Sequence, residues 1–419
     1  MKVDMLITEI SELITLAGAA RARKGKEMAE LGIINEGALA INDGKIIAVG
    51  KSEDILKEYE SDKIINAAGK VVMPGFVDPH THPVFYNTRE HEFEMRLQGR
   101  SYVEISQSGG GIRSSIKGVR NAGEDELFEL SFKRISKMIA NGTTTLEAKS
   151  GYGLTTESEL KMLRVIKRLN EKLPIDIVAT FMGAHEFPEE YKDRHEDYIK
   201  ILEDEMMPAV AETGLAEYFD IFTEEHVYNI EQSRRLLNKA RECGFKLRMH
   251  ADEIKPIGGA ELAGEFGAIS ADHLGAASNA GIKAMAENNV IATLLPGTIF
   301  SLGMKSYARA RDMISAGVAV ALATDYNPGS CNCDDMQHII SLACLQMKML
   351  PSEAITAVTI NAAYALERGD IIGSLETGKQ ADILIMDMPS YQYLPYHIGS
   401  SSVETVIKKG KIIFGDLQN

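Results

Sequence analysis

The stretch GFVDPHTHPVFYNTRE, from Gly75 to Glu90, joins a short apolar run to two histidines that stand one residue apart. The apolar run indicates a buried strand, and the polar residues after it indicate the loop at its carboxyl end. Because residues i and i+2 of a strand point to the same side, His80 and His82 can face one point. Taken alone, the pair fits a metal-binding role and a hydrogen-bonding loop role about equally well.

Seven more runs of this kind follow, and longer amphipathic segments separate them. The runs are TTTLEAK (143–149), IDIVATFMGAH (175–185), YFDIFTE (218–224), FKLRMHAD (245–252), GAISADHL (267–274), NVIATLLP (289–296) and VAVALATD (318–325). The segment ESELKMLRVIKRLNEKL (157–173) has the spacing of a helix with one apolar face. Eight strands with helices between them predict an α/β fold, a closed parallel (β/α)8 TIM-like barrel over residues 73–368.

The two ends of the chain carry a different pattern of short strands joined by glycine-containing turns. GALAINDGKIIAVG (37–50) has an Asp-Gly pair between apolar runs, which is a hairpin signal. Near the other end, IIGSLETGKQADILIMD (371–387) and VETVIKKGKIIF (403–414) indicate further strands. Neither end supplies enough strands for a stable sheet, so residues 1–72 and 369–419 are predicted to pair into one small β-sandwich domain.

Composition limits the possible functions. The chain has 419 residues, 45% of them hydrophobic and 25% charged, with a formal net charge of -15. This charge argues against a general partner for nucleic acid or anionic membranes. The start MKVDMLITEISELITL contains acids where a secretory signal is basic, and no run approaches the roughly 18 apolar residues of a membrane helix. We therefore expect a cytoplasmic protein, and a homodimer as the usual homo-oligomeric state.

Polar residues that suit metal chemistry stand at several predicted strand ends. His250, His273 and Asp325 end the fifth, sixth and eighth runs. In a barrel, the carboxyl ends of all strands meet at one rim, which is where active sites lie. Three imidazoles and one carboxylate suit zinc or iron with one position left open. The sequence therefore predicts a metal site, whose ligands are His80, His82, His250 and Asp325.

The same rim offers candidates for catalysis, namely Glu253, His273 and Asp325. A divalent ion lowers the pKa of a bound water to about 7, and hydrolysis then needs a group that moves the proton. Glu253, three residues beyond His250, can do this, although it can also be a solvated loop acid. His273 can orient water or stabilise an oxyanion, or it can hold Asp325 in place. Cys331 and Cys333 follow the eighth run, but a single Cys-x-Cys pair is weak evidence for metal binding.

Motifs along almost the whole chain resemble those of the amidohydrolase superfamily and, within it, the imidazolonepropionase family. The motifs are PGFVDPHTH (74–82), EAKSGYGL (147–154), FMGAHEFPEEY (181–191), MHADE (249–253), ADHL (271–274) and DYNPGS (325–330). The resemblance implies a barrel enzyme with one Zn²⁺, Fe²⁺ or Fe³⁺ ion. It implies hydrolysis of a cyclic amide C–N bond, the opening of 4-imidazolone-5-propanoate to N-formimidoyl-L-glutamate in histidine degradation.

The resemblance also implies a pocket for this small substrate, which carries a carboxylate. It assigns the metal to the four ligands given above, and it assigns the pocket to Arg89, Tyr152, His185, Glu253, Asn327, Gly329 and Ser330. Arg89 can hold a carboxylate through two parallel hydrogen bonds, although an ion pair with Glu90, Glu92 or Glu94 is the alternative.

Three positions depart from the family pattern or need a comment. Ser330 stands where threonine is expected, and the cysteine-containing, acidic CNCDD follows it. Many amidohydrolases bridge two ions with a carbamylated lysine at the end of strand four. Here Lys149 ends strand two, so one ion is expected.

Two other functions fit parts of this pattern. A mononuclear-metal deaminase of a cyclic amidine or nucleobase would use the same histidines and Glu253. Arg89 argues against it, because nucleobases have no carboxylate. A non-catalytic metal-binding barrel would leave Glu253 and His273 without a role.

Overall fold

The computed structural model describes residues 1–100, 104 and 110–415. In these residues the strands form two eight-stranded sheets, one parallel and one mixed. Strands and helices are numbered below in chain order. None of the helices in the described part of the chain combines the length and apolar character that crossing a bilayer requires.

The mixed sheet takes its strands from both ends of the chain. The strands are β1 (Met5–Ile14), β2 (Ile33–Asn42), β3 (Lys45–Lys51), β4 (Ile64–Asn66), β5 (Val71–Pro74), β14 (Ile383–Met386), β15 (Val403–Lys408) and β16 (Lys411–Phe414). Their order is β16-β15-β14-β5-β1-β2-β3, with β4 also paired to β1. The antiparallel β5–β14 pair joins the two ends, so the predicted pairing of the termini is confirmed.

Local sequence explains two features of this sheet. Asp43 and Gly44 adopt φ values of 49° and 73°, which suit the tight turn that connects β2 and β3. β1 has a register shift between Ile7 and Ile10, and it pairs with β4 before the shift and with β5 after it. One apolar cluster then draws on both ends of the chain, which accounts for the small separate β domain.

The parallel sheet is the barrel, and its eight strands match the eight predicted ones. They are β6 (Phe76–Asp78), β7 (Thr143–Lys149), β8 (Asp176–Ala184), β9 (Tyr218–Thr223), β10 (Lys246–Ala251), β11 (Ser270–His273), β12 (Ile291–Leu294) and β13 (Val320–Leu322). Each pairs with its sequence neighbour. β6 and β13 meet just past their carboxyl ends, where the His82 amide donates to Tyr326 (2.8 Å) and the Asp325 amide donates to His80 (3.1 Å). The predicted barrel is confirmed, and its closure lies beside the candidate site.

Helices connect the barrel strands and cover the sheet. The α-helices are α1 (Ser52–Glu58), α2 (Glu90–Leu97), α3 (Ile112–Asn121), α4 (Glu124–Ala140), α5 (Thr156–Lys172), α6 (His195–Ile201), α7 (Met207–Thr213), α8 (Ile230–Glu242), α9 (Gly259–Phe266), α10 (Asn279–Asn288), α11 (Pro296–Ser301), α12 (Ala310–Ser315), α13 (Met336–Met347), α14 (Pro351–Ala357), α15 (Ile360–Ala365) and α16 (Tyr393–Tyr396). α5 occupies most of the predicted segment 157–173. Its first turn is capped by Thr155, whose hydroxyl accepts from the Ser158 amide (3.2 Å).

A buried ion-pair cluster joins the β domain to the barrel. The Lys408 ammonium lies 2.7 Å from Asp382 and 2.8 Å from Asp176, and it donates to the Thr145 hydroxyl (3.2 Å). Thr145 and Asp176 belong to β7 and β8, whereas Lys408 ends β15. The cluster therefore lies at the end of the barrel opposite to the candidate site.

Candidate metal centre

The four predicted ligands converge at the carboxyl ends of the barrel strands. His80 Nε2 and His82 Nε2 lie 3.6 and 3.7 Å from the same Asp325 carboxylate oxygen. The rings of His80 and His250 have centroids 4.4 Å apart, and those of His82 and His250 are 5.6 Å apart. All four side chains are almost completely buried. The fold thus brings together residues from three distant parts of the chain.

The chemistry of this cluster fits a metal ion. His80 Nε2 and His82 Nδ1 are buried and have no hydrogen-bond partner. Leaving a buried polar group unpaired costs about 1–3 kcal/mol, so such atoms are rare unless something binds them. Ligand atoms of His80, His82 and Asp325 lie within 4.8 Å of one another. These donors are therefore positioned to hold a metal ion.

His273 also lies beside the candidate metal ligands. Its ligand atom lies within 4.8 Å of those of His80 and His250. Its Nδ1 is 3.6 Å from a Glu253 carboxylate oxygen, so the two candidate catalytic groups are neighbours. The hydrogen bond that holds the Asp325 carboxylate comes from the Thr298 hydroxyl (2.5 Å), a residue that the sequence did not single out.

Burial sets the protonation of these groups in the absence of an ion. It lowers the pKa of His80, His82 and His273 well below the usual histidine value, which keeps the imidazoles neutral and their lone pairs available. Burial raises the pKa of Asp325 to about 6. It raises that of Glu253 to about 8, helped by the nearby Asp325 charge. A bound cation acts against both increases, because it favours the ionised carboxylates.

Two carboxylates that were not predicted from the sequence contact the Nδ1 atoms of two candidate ligands. An Asp272 oxygen lies 2.6 Å from His80 Nδ1, and an Asp220 oxygen lies 3.1 Å from His250 Nδ1. Although burial alone would lower the pKa of His250, Asp220 raises it. The sequence did carry a signal, since both aspartates interrupt strands that are otherwise mostly apolar. Which histidine each one contacts depends on strand register, in which His250 is opposite Asp272 and Arg248 is opposite Asp220.

Lys149 forms ion pairs with neighbouring carboxylates, which argues against its acting as a carbamylated bridge between two metal ions. Its ammonium lies 2.8 Å from Glu147 and 2.7 Å from Asp220. Burial alone would lower the pKa of Lys149, but the Asp220 and Glu147 carboxylates raise it. A charged amine cannot form a carbamate, because that reaction needs the free lone pair.

Arg89 lies where the loop after β6 meets the loop after β13. Its backbone amide donates to Pro328 (3.1 Å), and its guanidinium packs on Gly329, where a Cβ atom would lie 1.9 Å from Nη2. The ion pair considered from the sequence is present, because Nε lies 3.1 Å from a Glu92 oxygen. Glu92 is only 2% exposed and also accepts from the Gly111 amide (2.7 Å). Glu92 therefore fixes one edge of Arg89 inside the protein.

Tyr152 and His185 flank the metal donors on another side. The His185 and His82 rings are nearly parallel, with centroids 5.2 Å apart, and Tyr152 lies 5.3 Å from His185. His185 Nδ1 is 2.9 Å from the Gly151 carbonyl oxygen. The buried Glu159 carboxylate accepts from the amides of Gly151, Gly153 and Leu154, which fixes the loop that carries Tyr152.

Asn327 organises the loop that follows β13. Its side-chain oxygen accepts from the amides of Gly329 and Ser330 (2.8 Å each). Its nitrogen donates to the Asp325 carbonyl (2.7 Å) and to the Ser330 hydroxyl (2.8 Å). Because these bonds use its hydrogen-bonding groups within the loop, Asn327 shapes the turn that presents Gly329 and Ser330.

Among the described residues, neither cysteine of this loop belongs to a group of side chains close enough together to hold a metal ion. Cys331 is fully buried, and its Sγ is 4.0 Å from the Ser301 hydroxyl. Burial raises the pKa of Cys331 well above the usual value and that of Cys333 to about 12. Both are therefore protonated thiols, which are poor metal ligands.

Three residues at or beside the same centre have positive φ values. His273, Asp325 and Asp252 have φ values of 73°, 53° and 47°, which side chains other than glycine seldom adopt. Each follows or ends a barrel strand. Strain of this kind is typical of functional sites, because the surrounding structure must hold it in place.

Comparison with known proteins agrees with this geometry. The sequence model of the amidohydrolase family matches residues 71–413. The chain belongs to the amidohydrolase family. It is 49% identical over 416 residues to an imidazolonepropionase of Alkaliphilus oremlandii, covering 99% of this chain and 98% of the relative. It is 50% identical over 415 residues to an imidazolonepropionase of Clostridium tetani, covering 99% of both. The resemblance to the imidazolonepropionase family is thereby confirmed.

Solved structures show the same fold at low sequence identity. An adenosine deaminase from Xanthomonas campestris with bound zinc superposes with a TM-score of 0.69 and 19% identity, over 99% of this chain and 93% of that chain. The guanine deaminase of E. coli gives a TM-score of 0.71 at 16% identity, over 98% of this chain and 99% of that chain. At these identities the likeness concerns the fold alone.

Proposed function

We propose that this chain hydrolyses 4-imidazolone-5-propanoate to N-formimidoyl-L-glutamate. The observation that carries the proposal is the place of Arg89, which follows β6 and packs on Gly329 of the loop after β13, in a chain about half identical to imidazolonepropionases. That loop begins next to Asp325, which is a metal-donor candidate. The reaction needs a metal ion for the ring carbonyl and a fixed cation for the propanoate, and the packing of Arg89 on Gly329, four residues after Asp325 in the sequence, supports this pairing.

The metal ligands in this proposal are His80, His82, His250 and Asp325, holding one zinc or iron ion. The unpaired Nε2 of His80 supports this choice, because the same atom lies 3.6 Å from Asp325. When bound, such an ion supplies Lewis acidity, which lowers the pKa of water and polarises a carbonyl group. His273 is kept for catalysis because its Nδ1 lies beside Glu253.

Glu253 and His273 carry the proton transfers. Glu253 takes a proton as water oxygen adds to the ring carbonyl carbon. It then delivers a proton to the ring nitrogen as the C–N bond breaks. Burial and the nearby Asp325 charge raise the pKa of Glu253 to about 8, and a bound cation lowers it, so the carboxylate that accepts the first proton becomes available near neutral pH. His273 donates a hydrogen bond toward the oxygen that gains charge, and Asp325 completes the catalytic set as a ligand of the metal ion.

The remaining pocket residues bind and orient the substrate. The Arg89 guanidinium, fixed by Glu92 at Nε, takes the propanoate with charge-assisted hydrogen bonds. Tyr152 and His185 present ring faces and polar atoms to the flat heterocycle. The Asn327 turn presents Gly329 and Ser330 to the part of the substrate beside Arg89.

The deaminase alternative has less support. The structural likeness to an adenosine deaminase and a guanine deaminase is at 19% and 16% identity, so it supports a shared fold and gives no information on the substrate. A nucleobase would also give the Arg89 guanidinium no anion beyond Glu92, which contacts only its Nε edge.

The test is an assay with freshly prepared 4-imidazolone-5-propanoate. We expect loss of the imidazolone absorbance and one equivalent of formimidoylglutamate by mass spectrometry, with no ammonia from guanine, adenine or cytosine under the same conditions. Ammonia release from a nucleobase without ring opening would overturn the proposal in favour of the deaminase.

Other expectations from the sequence remain predictions. These are the domain division at residues 72/73 and 368/369, a cytoplasmic location and a homodimer. Sedimentation velocity measures the last of them, and a single species of twice the chain mass of 45.9 kDa is expected.

A further inference from the structure

The barrel interior behind the histidines contains five ionisable side chains that the proposed mechanism does not use. They are Glu147, Lys149, Asp220, Arg248 and Asp272, each with 0% of its surface exposed. In their ionised forms, three carboxylates and two cations leave one net negative charge. Burying an ion costs several kcal/mol even after relaxation, so five together need a structural or functional reason.

Lys149 lies at the centre of these side chains. Its Nζ is 2.8 Å from a Glu147 oxygen and 2.7 Å from an Asp220 oxygen, and it is 3.9 Å from Asp272. An ammonium group has three donors and no acceptor, so it can hold more than one carboxylate in a fixed direction. Lys149 therefore holds the same Asp220 carboxylate that contacts His250.

Asp220 and Asp272 transmit this arrangement to the candidate ligands. Asp220 accepts from both the backbone amide and Nδ1 of His250, each at 3.1 Å. Asp272 lies 2.6 Å from His80 Nδ1. A carboxylate at Nδ1 keeps the hydrogen on that atom, so Nε2 is the atom with a free lone pair. His80 Nε2 is the buried atom without a partner, as this arrangement requires.

We propose that Lys149 is a positioning residue for the metal centre, which fixes Asp220 and through it the orientation and tautomer of His250. A role through charge alone would have the opposite effect on metal binding. Removing a nearby positive charge strengthens the attraction for a cation, whereas releasing Asp220 and His250 weakens the site. The direction of the change in metal affinity therefore separates the two roles.

The variants are Lys149→Met, which removes the donor and the charge, and Lys149→Gln, which removes the charge but keeps a donor for Asp220. Lys408→Met is the matched control, because Lys408 is also a buried lysine between two carboxylates but lies at the other end of the barrel. Zinc affinity is measured on folded, metal-free protein by competition with a chelating dye. Circular dichroism checks the fold, and the visible spectrum of the cobalt-substituted protein reports ligand geometry.

We expect zinc affinity to fall about 10- to 100-fold in Lys149→Met, the range found when partners of metal-binding histidines are removed. Lys149→Gln should lie between Lys149→Met and the unmodified protein, with a cobalt spectrum closer to the latter. Lys408→Met should bind zinc within about twofold of the unmodified protein, since it contacts no candidate ligand.

Zinc binding by Lys149→Met that is unchanged or tighter would overturn the proposal, as would equal affinities of the two Lys149 variants. If Lys149→Met does not fold, Lys149→Gln decides by the same criterion against the unmodified protein. Failure of both to fold would make Lys149 a requirement of the barrel itself and would also overturn a positioning role.

This inference rests on the metal centre of the proposed function but not on its substrate. Tight zinc binding without ring opening would overturn the proposed function and leave the Lys149 comparison intact. Ring opening by the unmodified protein, with unchanged zinc affinity in Lys149→Met, would overturn the role of Lys149 and leave the proposed function intact.

Discussion

Lys149 and Lys408 are two buried lysines that each lie between two carboxylates, although one of the two at Lys408, Asp176, is 38% exposed. Lys149 lies 2.7–2.8 Å from Asp220 and Glu147, and Lys408 lies 2.7–2.8 Å from Asp382 and Asp176. They differ in what their carboxylates contact next. At the Lys149 end Asp220 accepts from His250, whereas at the Lys408 end Asp382 accepts from the Lys409 amide and the Gln380 side chain.

The difference lies in how completely each cluster satisfies its polar groups. Beside the Lys149 cluster, a buried oxygen of Asp272 and a nitrogen of His80 have no hydrogen-bond partner. Within residues 1–100 and 110–415, no buried side-chain atom of Lys408, Asp382 or Asp176 is left in this state. We call the Lys408 cluster the complete one and the Lys149 cluster the incomplete one, because unpaired buried atoms beside the latter call for an explanation such as a bound ligand.

The largest expected effect comes from removing a metal donor at the incomplete end. His82→Ala should lower ring-opening activity by more than about 100-fold, beyond what loss of an outer partner costs. Its metal content after dialysis should fall well below one ion per chain. Activity and metal content are measured on one sample, with His397→Ala as the control for a surface histidine. Normal metal content in His82→Ala would show that His82 is not a metal ligand.

Breaking the complete cluster should reduce stability and leave the metal centre intact. Lys408→Met leaves the buried Asp382 carboxylate without its cation, and breaking a buried pair from one side costs about 3 kcal/mol. We expect the free energy of unfolding in urea to fall by that order while zinc affinity is retained. A stable variant that has lost zinc affinity would mean that the two clusters are coupled.

Arg89 is a third cation that is paired with a buried carboxylate, Glu92, and in the proposed function it binds the substrate directly. Arg89→Lys keeps the charge but loses the planar fork that binds a carboxylate, and lysine cannot reproduce the contact with Gly329. We expect KM for the imidazolone to rise about tenfold, or about 1.4 kcal/mol, with a smaller change in kcat. Steady-state kinetics measures both constants, and an unchanged KM would contradict the role of Arg89.

The smallest effect is expected from a substitution of Ser330 in the loop after β13. Ser330→Thr keeps the hydroxyl that accepts from Asn327, so the turn should persist. We expect kcat/KM to stay within about threefold of the unmodified value, or about 0.7 kcal/mol. A much larger change would show that the shape of this wall, and not only its hydroxyl, determines substrate fit.

Much of this arrangement was predictable from the sequence because strand direction fixes where strand ends meet. The eight apolar runs predicted the barrel, and the polar residues at their ends predicted that His80, His82, His250 and Asp325 would lie together. Both follow from local pattern and the parallel topology.

The contacts behind the ligands were not predictable in the same way. Asp220 and Asp272 meet particular histidines only through register between neighbouring strands, which no single run of sequence contains. The contact between Thr298 and Asp325 joins residues after β12 and β13, and the packing of Arg89 on Gly329 joins the first and last strand loops. Such contacts depend on loop conformation.

The most direct test of the account is a zinc titration of metal-free protein, in which the initial rate of imidazolone ring opening is measured at each addition. We predict a negligible rate without metal, a linear rise and a plateau at one zinc ion per chain. A full rate in chelated, metal-free protein, or a rate that rises until two ions per chain are bound, would contradict a single metal centre built from His80, His82, His250 and Asp325.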